Sequence, residues 1–159
     1  MGYYHTAQIC IKGHMINSSY NKYSELNKKF CTKCGVKTIT ACSECNSPIH
    51  GTYDSGLPVI GFEPVIDSYC YNCGNPYPWT KLALEKTEEI ISEDECLSQS
   101  EKQKLVELMP DLVSETPSTN LAVIKLKKFL SISGKFTADA LRQFIIDFGC
   151  ELAIKLMKL

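Results

Sequence analysis

The chain reads as an α+β fold of two unlike halves: two small zinc ribbons of short β-hairpins, followed by a helical C-terminal half. Three features lead there. Cys10/His14, Cys31/Cys34, Cys42/Cys45 and Cys70/Cys73 form four close pairs of soft ligands, all of them ahead of Trp79. Most of the Gly and Pro residues, and all of the Tyr, also precede Trp79. Beyond it the chain turns rich in Leu, Ile, Lys and Glu with few breakers, a helical composition. The expected division is therefore 1–79 for the ribbons and 80–159 for the helices.

Eight such ligands suit two tetrahedral ions, because zinc takes thiolate sulfur and imidazole nitrogen in fours. A Cys-x2-Cys knuckle points both sulfurs at one metal, and Gly35 and Gly74 follow the second cysteine of two pairs, where such a knuckle turns through positive φ. Chain order predicts one site from Cys10, His14, Cys31 and Cys34, and a second from Cys42, Cys45, Cys70 and Cys73. A cross-brace, joining the first pair to the third and the second to the fourth, is the rival arrangement. His5 and His50 compete with His14 for the eighth position. Two Zn2+ ions are the expected cofactors, with iron the chemical alternative for the all-cysteine site. Cys96 and Cys150 have no partner at ligand spacing and read as buried, small apolar side chains.

Disulfides need an oxidising compartment, and Met1–Thr6 has neither the basic start nor the apolar core of a signal peptide, so a cytoplasmic location is expected. A thioredoxin-like redox pair needs a βαβ pattern that is absent around the three Cys-x2-Cys pairs. The ribbon half is too poor in aliphatic residues to bury a core unaided, so metal is expected to supply its folding free energy. No apolar run approaches the roughly 18 residues of a membrane span.

Taken in order, the ribbons differ in charge. Lys12, Lys22, Lys28, Lys29, Lys33 and Lys37 face only Glu25 up to position 37, whereas 38–79 holds no Lys or Arg and the acids Glu44, Asp54, Glu63 and Asp67. Between Cys45 and Cys70, Ile49–Tyr53, a turn at Asp54-Ser55-Gly56, and Gly61–Tyr69 predict a long hairpin, with Pro58 and Pro64 confining it to an edge. Thr80 is the expected N-cap of a first helix, from Lys81 to about Glu95, with Trp79 as a packing staple before it. Its acids, Glu85, Glu88, Glu89, Glu93, Asp94 and Glu95, form one acidic stretch. Ser98 with Glu101 is a capping box opening a second helix that Pro110 stops. Pro117 begins a third, from about Ser118 to Ile132. Thr137 caps a fourth, where Leu141, Phe144, Ile145, Phe148, Leu152 and Leu156 recur at helical spacing.

Several phrases carry a specific likeness: Tyr4-His5-Thr6-Ala7-Gln8-Ile9-Cys10, Gly13-His14-Met15-Ile16-Asn17, Phe30-Cys31 to Gly35, and Tyr69-Cys70-Tyr71-Asn72-Cys73-Gly74 running into Pro76-Tyr77-Pro78-Trp79-Thr80. In these the chain resembles an uncharacterised bacterial family, domain of unknown function 2321. The resemblance implies a bacterial double zinc-ribbon protein with a helical tail and no assigned activity.

Closed four-ligand sites leave metal no open position for chemistry, and the chain has no His-Glu-x-x-His, zinc-deaminase, phosphate-loop or Gly-x-Ser-x-Gly pattern. The expectation is a non-enzymatic adaptor that meets protein partners through its ribbons and the apolar faces of its last helices. The alternative is nucleic-acid binding by the basic first ribbon through its six lysines, against which stand a net charge of -1 and a single arginine, Arg142.

Overall fold

The computed structural model describes residues 2–57 and 64–158. The chain divides into two compact units, Met1–Lys81 and Leu82–Leu159, the division falling inside a helix.

In the first unit, short strands place the knuckles. Strand β1 (Tyr3–Thr6) pairs antiparallel with β5 (His50–Asp54), setting Tyr3 opposite Asp54 and Tyr4 opposite Tyr53. Strand β2 (Gln8–Cys10) is the centre of a three-stranded sheet, flanked by β3 (Met15–Asn17) and β4 (Thr38–Ile39). The β2–β3 connection is the Cys10–His14 segment itself, closed by the Gly13 amide donating to the Cys10 carbonyl at 2.8 Å. Gly13 turns there at φ 89° with Trp79 Cβ 3.1 Å from where its own Cβ would stand, so both backbone and space call for glycine. A buried cluster of Ala7, Ile9, Cys42, Ile49, Cys70, Tyr77 and Trp79 fills this unit, with Met15, Ile39, Cys45 and Ile66 against it. Tyr77 and Trp79 stack at 4.7 Å, and the Trp79 indole donates to the Asp67 carbonyl at 3.0 Å.

The expected hairpin over 49–69 is corrected for the described part of its second arm. Its first arm is β5, which among the described residues pairs with β1, 44 to 51 positions back in the chain. Residues 64–67 are not strand; residues 58–63, with Pro58 and the start of the expected second arm at Gly61, lie outside the described residues. Cross-strand contacts explain the choice, since Tyr4 meets the Tyr53 ring at 5.0 Å and stacks on His50 at 4.2 Å.

The second unit contains most of α1 (Pro78–Ser92), then α2 (Gln99–Leu108), α3 (Pro110–Val113), α4 (Thr119–Ile132), α5 (Lys135–Phe148) and α6 (Glu151–Met157). Pro78 opens α1, where a missing N–H costs nothing. Thr80 is accordingly not its cap: the Thr80 hydroxyl donates to the Ser68 carbonyl at 2.7 Å. The Ser98–Glu101 capping box forms in full. Pro110 ends α2 and starts the short α3, and Pro117 lies before α4 rather than in its first turn. Helix α4 is the common partner, packed on α2, α3, α5 and α6. Leu105, Leu112, Leu126, Leu141 and Ile145 are completely buried.

Four expectations in this unit are overturned. The fourth helix is two, because the chain becomes extended at Gly149 and Cys150, and the Cys150 amide donates to the Leu112 carbonyl at 2.8 Å. A Cβ at Gly149 would stand 2.5 Å from the Ile145 carbonyl oxygen, so the break depends on glycine. The break lets α6 run against α4, where Lys127 Nζ donates to the Leu156 carbonyl at 2.7 Å. Thr137 does not cap α5, which begins at Lys135 after Gly134. Asp94, read as one of an acidic stretch, is only 4 % exposed, whereas Glu85, Glu88, Glu89, Glu93 and Glu95 are exposed. Its carboxylate accepts from the amides of Cys96 (2.8 Å), Leu97 (3.0 Å) and Gly134 (2.9 Å), joining the α1–α2 and α4–α5 turns. Burial opposes that charge, and the Thr137 hydroxyl and the three amides together overcome it and hold the carboxyl below its ordinary value. Cys96 is exposed and Cys150 half-buried, so neither is the buried apolar residue expected.

Candidate metal centres

Each cysteine pair is held by one repeated backbone device. Flanking residues pair across the knuckle, Phe30 with Lys37, Ala41 with Pro48 and Tyr69 with Pro76. Inside, the amides of Cys31, Cys42 and Cys70 donate to the carbonyls of Val36, Ser47 and Asn75 at 2.8, 2.9 and 2.9 Å. The amides of Gly35, Asn46 and Gly74 return to the carbonyls of the same three cysteines at 2.8, 3.0 and 2.9 Å. Those three residues have φ of 71°, 60° and 72°. Two are the glycines singled out from sequence; the third is Asn46, whose short polar side chain makes asparagine the residue after glycine best suited to that conformation. Asparagine following Cys45 was the signal available for the third knuckle.

The knuckles converge in two groups. Cys10, His14, Cys31 and Cys34 present one ligand atom each within 4.8 Å of one another, and so do Cys42, Cys45, Cys70 and Cys73. Pairing of β2 with β4 produces the first group, since Cys10 stands opposite Thr38 directly after the second knuckle. The Ala7 amide, donating to the Ile49 carbonyl at 2.8 Å, ties the third knuckle's hairpin to the same strands. This is the sequential arrangement; the cross-brace pairs are not brought together. His5 and His50 stand apart from both groups. His5 Nε2 faces Asp54 Oδ2 at 3.4 Å, and His50 is sandwiched between Tyr4 at 4.2 Å and Tyr71 at 4.0 Å.

Interatomic distances test whether a metal fits. Tetrahedral zinc with bonds of about 2.3 Å to sulfur sets two sulfurs about 3.8 Å apart, and with about 2.0 Å to nitrogen sets sulfur and nitrogen about 3.5 Å apart. The sulfur pairs Cys10/Cys34, Cys42/Cys73 and Cys45/Cys70 lie at 3.7, 3.8 and 3.6 Å. His14 Nδ1 lies 3.4 Å from Cys10 Sγ and 3.6 Å from Cys31 Sγ. The separations are those of an ion's coordination shell and far longer than a disulfide, whose sulfurs are about 2.0 Å apart. Two bound metal ions are compatible with both groups.

Thiol ionisation within the groups runs in opposite directions. Burial works against the Cys31 thiolate, but the amides of Lys33 and Cys34 outweigh it and bring the thiol to about 6. The Ser47 hydroxyl and amide hold Cys45 at about 6. Their neighbours move the other way: burial pushes Cys10 up, and although the Asn75 amide favours its thiolate, burial and the sulfurs of Cys45, Cys70 and Cys42 push Cys73 up to about 11. Three sulfurs in one group and four in the other oppose one another's ionisation at this spacing, a conflict that a divalent ion at the centre would remove.

The model of a bacterial family described as an uncharacterized protein conserved in bacteria, DUF2321, matches residues 3–157. The chain belongs to family DUF2321. The DUF2321 match takes in both cysteine groups and the helices through α6, so the family extends well past the ribbon motifs that carried the likeness. No curated protein matches the chain, and no solved structure does.

The six lysines of the first ribbon are all exposed. Lys29 Nζ lies 5.8 Å from the Phe30 ring centre and Lys22 Nζ 5.7 Å from that of Tyr23, while Lys22 also reaches Asp54 Oδ2 at 3.5 Å. No helix among the described residues is long and apolar enough to cross a membrane.

Proposed function

We propose that the chain binds two zinc ions as structural staples and works as a non-enzymatic adaptor, meeting protein partners through its helical unit. The observation that carries this reading is the closure of both ligand groups: each already offers four protein donors at tetrahedral spacing. A zinc ion so held has no open position for water or substrate, so it organises the fold rather than performing chemistry. Three thiolates and an imidazole, like four thiolates, suit zinc. For the partner surface, Leu121, Ile124 and Ile132 of α4, with Phe136 and Ile146 of α5, are about half exposed or more, Phe136 reaching 77 %. Native mass spectrometry tests the metal reading directly, with two zinc ions per chain expected. Affinity purification from the native cell tests the adaptor reading: Leu121→Asp with Ile124→Asp should abolish partner capture while leaving zinc content at two.

Exposed Phe30 and Tyr23, each beside a lysine ammonium, support a second reading in which the first ribbon binds nucleic acid by stacking and phosphate contact. That affinity should fall steeply with salt and again on Lys28, Lys29 and Lys33→Glu. Submicromolar binding at about 150 mM salt that these reversals abolish would replace the adaptor reading.

A further inference from the structure

A groove between α2 and α4, inside the helical unit, has sides of opposite charge. Its floor is apolar: Leu108 from α2, with Phe129 and Ile132 from α4. Glu101 and Glu107 of α2 and Asp111 of α3 line one side, interrupted only by Lys104. Lys125 and Lys128 of α4 line the other. Lys104, Glu107, Lys125 and Lys128 are exposed, and Glu101 and Asp111 half-buried. Among the described residues, none of these six charges takes part in an ion pair, across the groove or elsewhere.

The groove encloses about 450 Å³, and no neutral polar side chain lines it. A small molecule held there would find no buried donor or acceptor to orient it, since the polar groups are the charged side chains of the two sides. A ligand that satisfies the groove must cover its floor with apolar atoms and reach both sides with charges of opposite sign. Glu101 to Leu108 on α2 and Lys125 to Ile132 on α4 are seven steps each, about 10 Å or two turns of helix. On α4, helical spacing puts Leu121, Ile124, Lys125, Lys128 and Ile132 on one side, so the half-exposed Leu121 and Ile124 continue the line of the groove. An apolar floor between two packed helices, two turns long, is the seat of a third helix.

We infer that the α2–α4 groove binds an amphipathic helix of a partner protein. Its apolar stripe lies on Leu108, Phe129 and Ile132, a basic flank meets Glu101, Glu107 and Asp111, and an acidic flank meets Lys125 and Lys128. This partner chemistry rests on the adaptor reading proposed above and makes it specific. An uncharged apolar face would take amphipathic helices indiscriminately. This groove disfavours a helix whose two flanks have the same sign, because one flank then meets like charge. Exposed ion pairs are weak singly, so the discrimination comes from several charges acting together.

The probes are two stapled helical peptides with a common leucine stripe, fluorescently labelled and titrated into the full-length chain at about 150 mM salt. One has a lysine flank and a glutamate flank; the other has lysine on both. Wild type should bind the mixed peptide about tenfold more tightly than the all-lysine one. Lys125→Glu with Lys128→Glu, at two exposed positions, should reverse that preference, and the gained affinity for the all-lysine peptide also shows that the variant is folded. A preference that the reversal leaves unmoved overturns the inference. So does the absence of saturable binding of the mixed peptide, or equal binding of a proline-broken, non-helical version of it. A concentration-dependent dimer of the chain alone that Lys125→Glu with Lys128→Glu dissolves also overturns it, because a second copy then fills the groove. The adaptor reading fails separately. Partner capture lost on Leu121→Asp with Ile124→Asp, while both peptides fail to bind, removes the groove and leaves that reading standing; capture that those substitutions leave intact removes the reading.

Discussion

In the first unit, cysteines occupy places that aliphatic side chains fill in the second. Cys42 and Cys70 belong to the buried cluster around Ile9, Ile49, Tyr77 and Trp79, so loss of an ion held by them would strike the core as well as the knuckles. In the helical unit Leu105, Leu112, Leu126, Leu141 and Ile145 are completely buried, and a carboxylate, Asp94, takes the part of a staple by gathering the amides of two turns. On the two-metal reading both units join distant turns through a central charged group. They differ in its source: in one the thiolates would face a cation, on the reading proposed above, and in the other an anion of the chain faces N–H dipoles. Stability of the first unit should accordingly follow metal and thiol chemistry, and that of the second apolar area and acid.

The comparison breaks most easily at the metal. Structural zinc contributes about 10 to 16 kcal/mol in small zinc domains, so chelation, or Cys70→Ser, should unfold residues 1–81 while the helical signal in circular dichroism largely survives. Simultaneous loss of both units, or survival of the first, defeats the contrast.

Next in size is a cavity in the helical core. Leu141→Ala should cost about 2 to 5 kcal/mol in urea unfolding followed by helical signal, with metal content unchanged. A smaller loss follows at Asp94, where Asp94→Asn places an amide against the Gly134 N–H and should cost about 1 to 3 kcal/mol. The pH dependence has a definite sign. Because the folded carboxyl titrates below its unfolded value of about 3.9, its contribution is present above that pH and is lost as pH falls through the lower, folded value. Acid titration of Asp94→Asn should lack this limb; an unchanged acid midpoint would remove Asp94 from the account.

The smallest effect sharpens the knuckle argument. Asn46→Ala forces an ordinary side chain into φ 60° and should cost about 1 kcal/mol, read as faster alkylation of Cys42 and Cys45, whereas Asn46→Gly should match the parent within about 0.5 kcal/mol. Equal effects from Ala and Gly would mean that backbone conformation is not what this position supplies.

Residue order alone determined the features whose cause is local. A Cys-x2-Cys turn needs only its own four or five residues, so Cys31, Cys34, Cys42, Cys45, Cys70 and Cys73 were legible as pairs, as were the Ser98–Glu101 capping box and the helical stretch of α4. Helix ends were less so: Thr80 and Thr137 have capping chemistry, yet their hydroxyls serve the Ser68 carbonyl and Asp94 instead. Only tertiary structure decided which strand β5 joins, that Asp94 is buried while its acidic neighbours are not, and that the last helix breaks at Gly149 to reach Leu112. Each of these depends on a partner many residues away, such as Gly134, 40 positions beyond Asp94. A long-range contact forms only where its gain exceeds the entropy of closing the intervening loop, and that balance involves the whole fold rather than any one stretch of sequence.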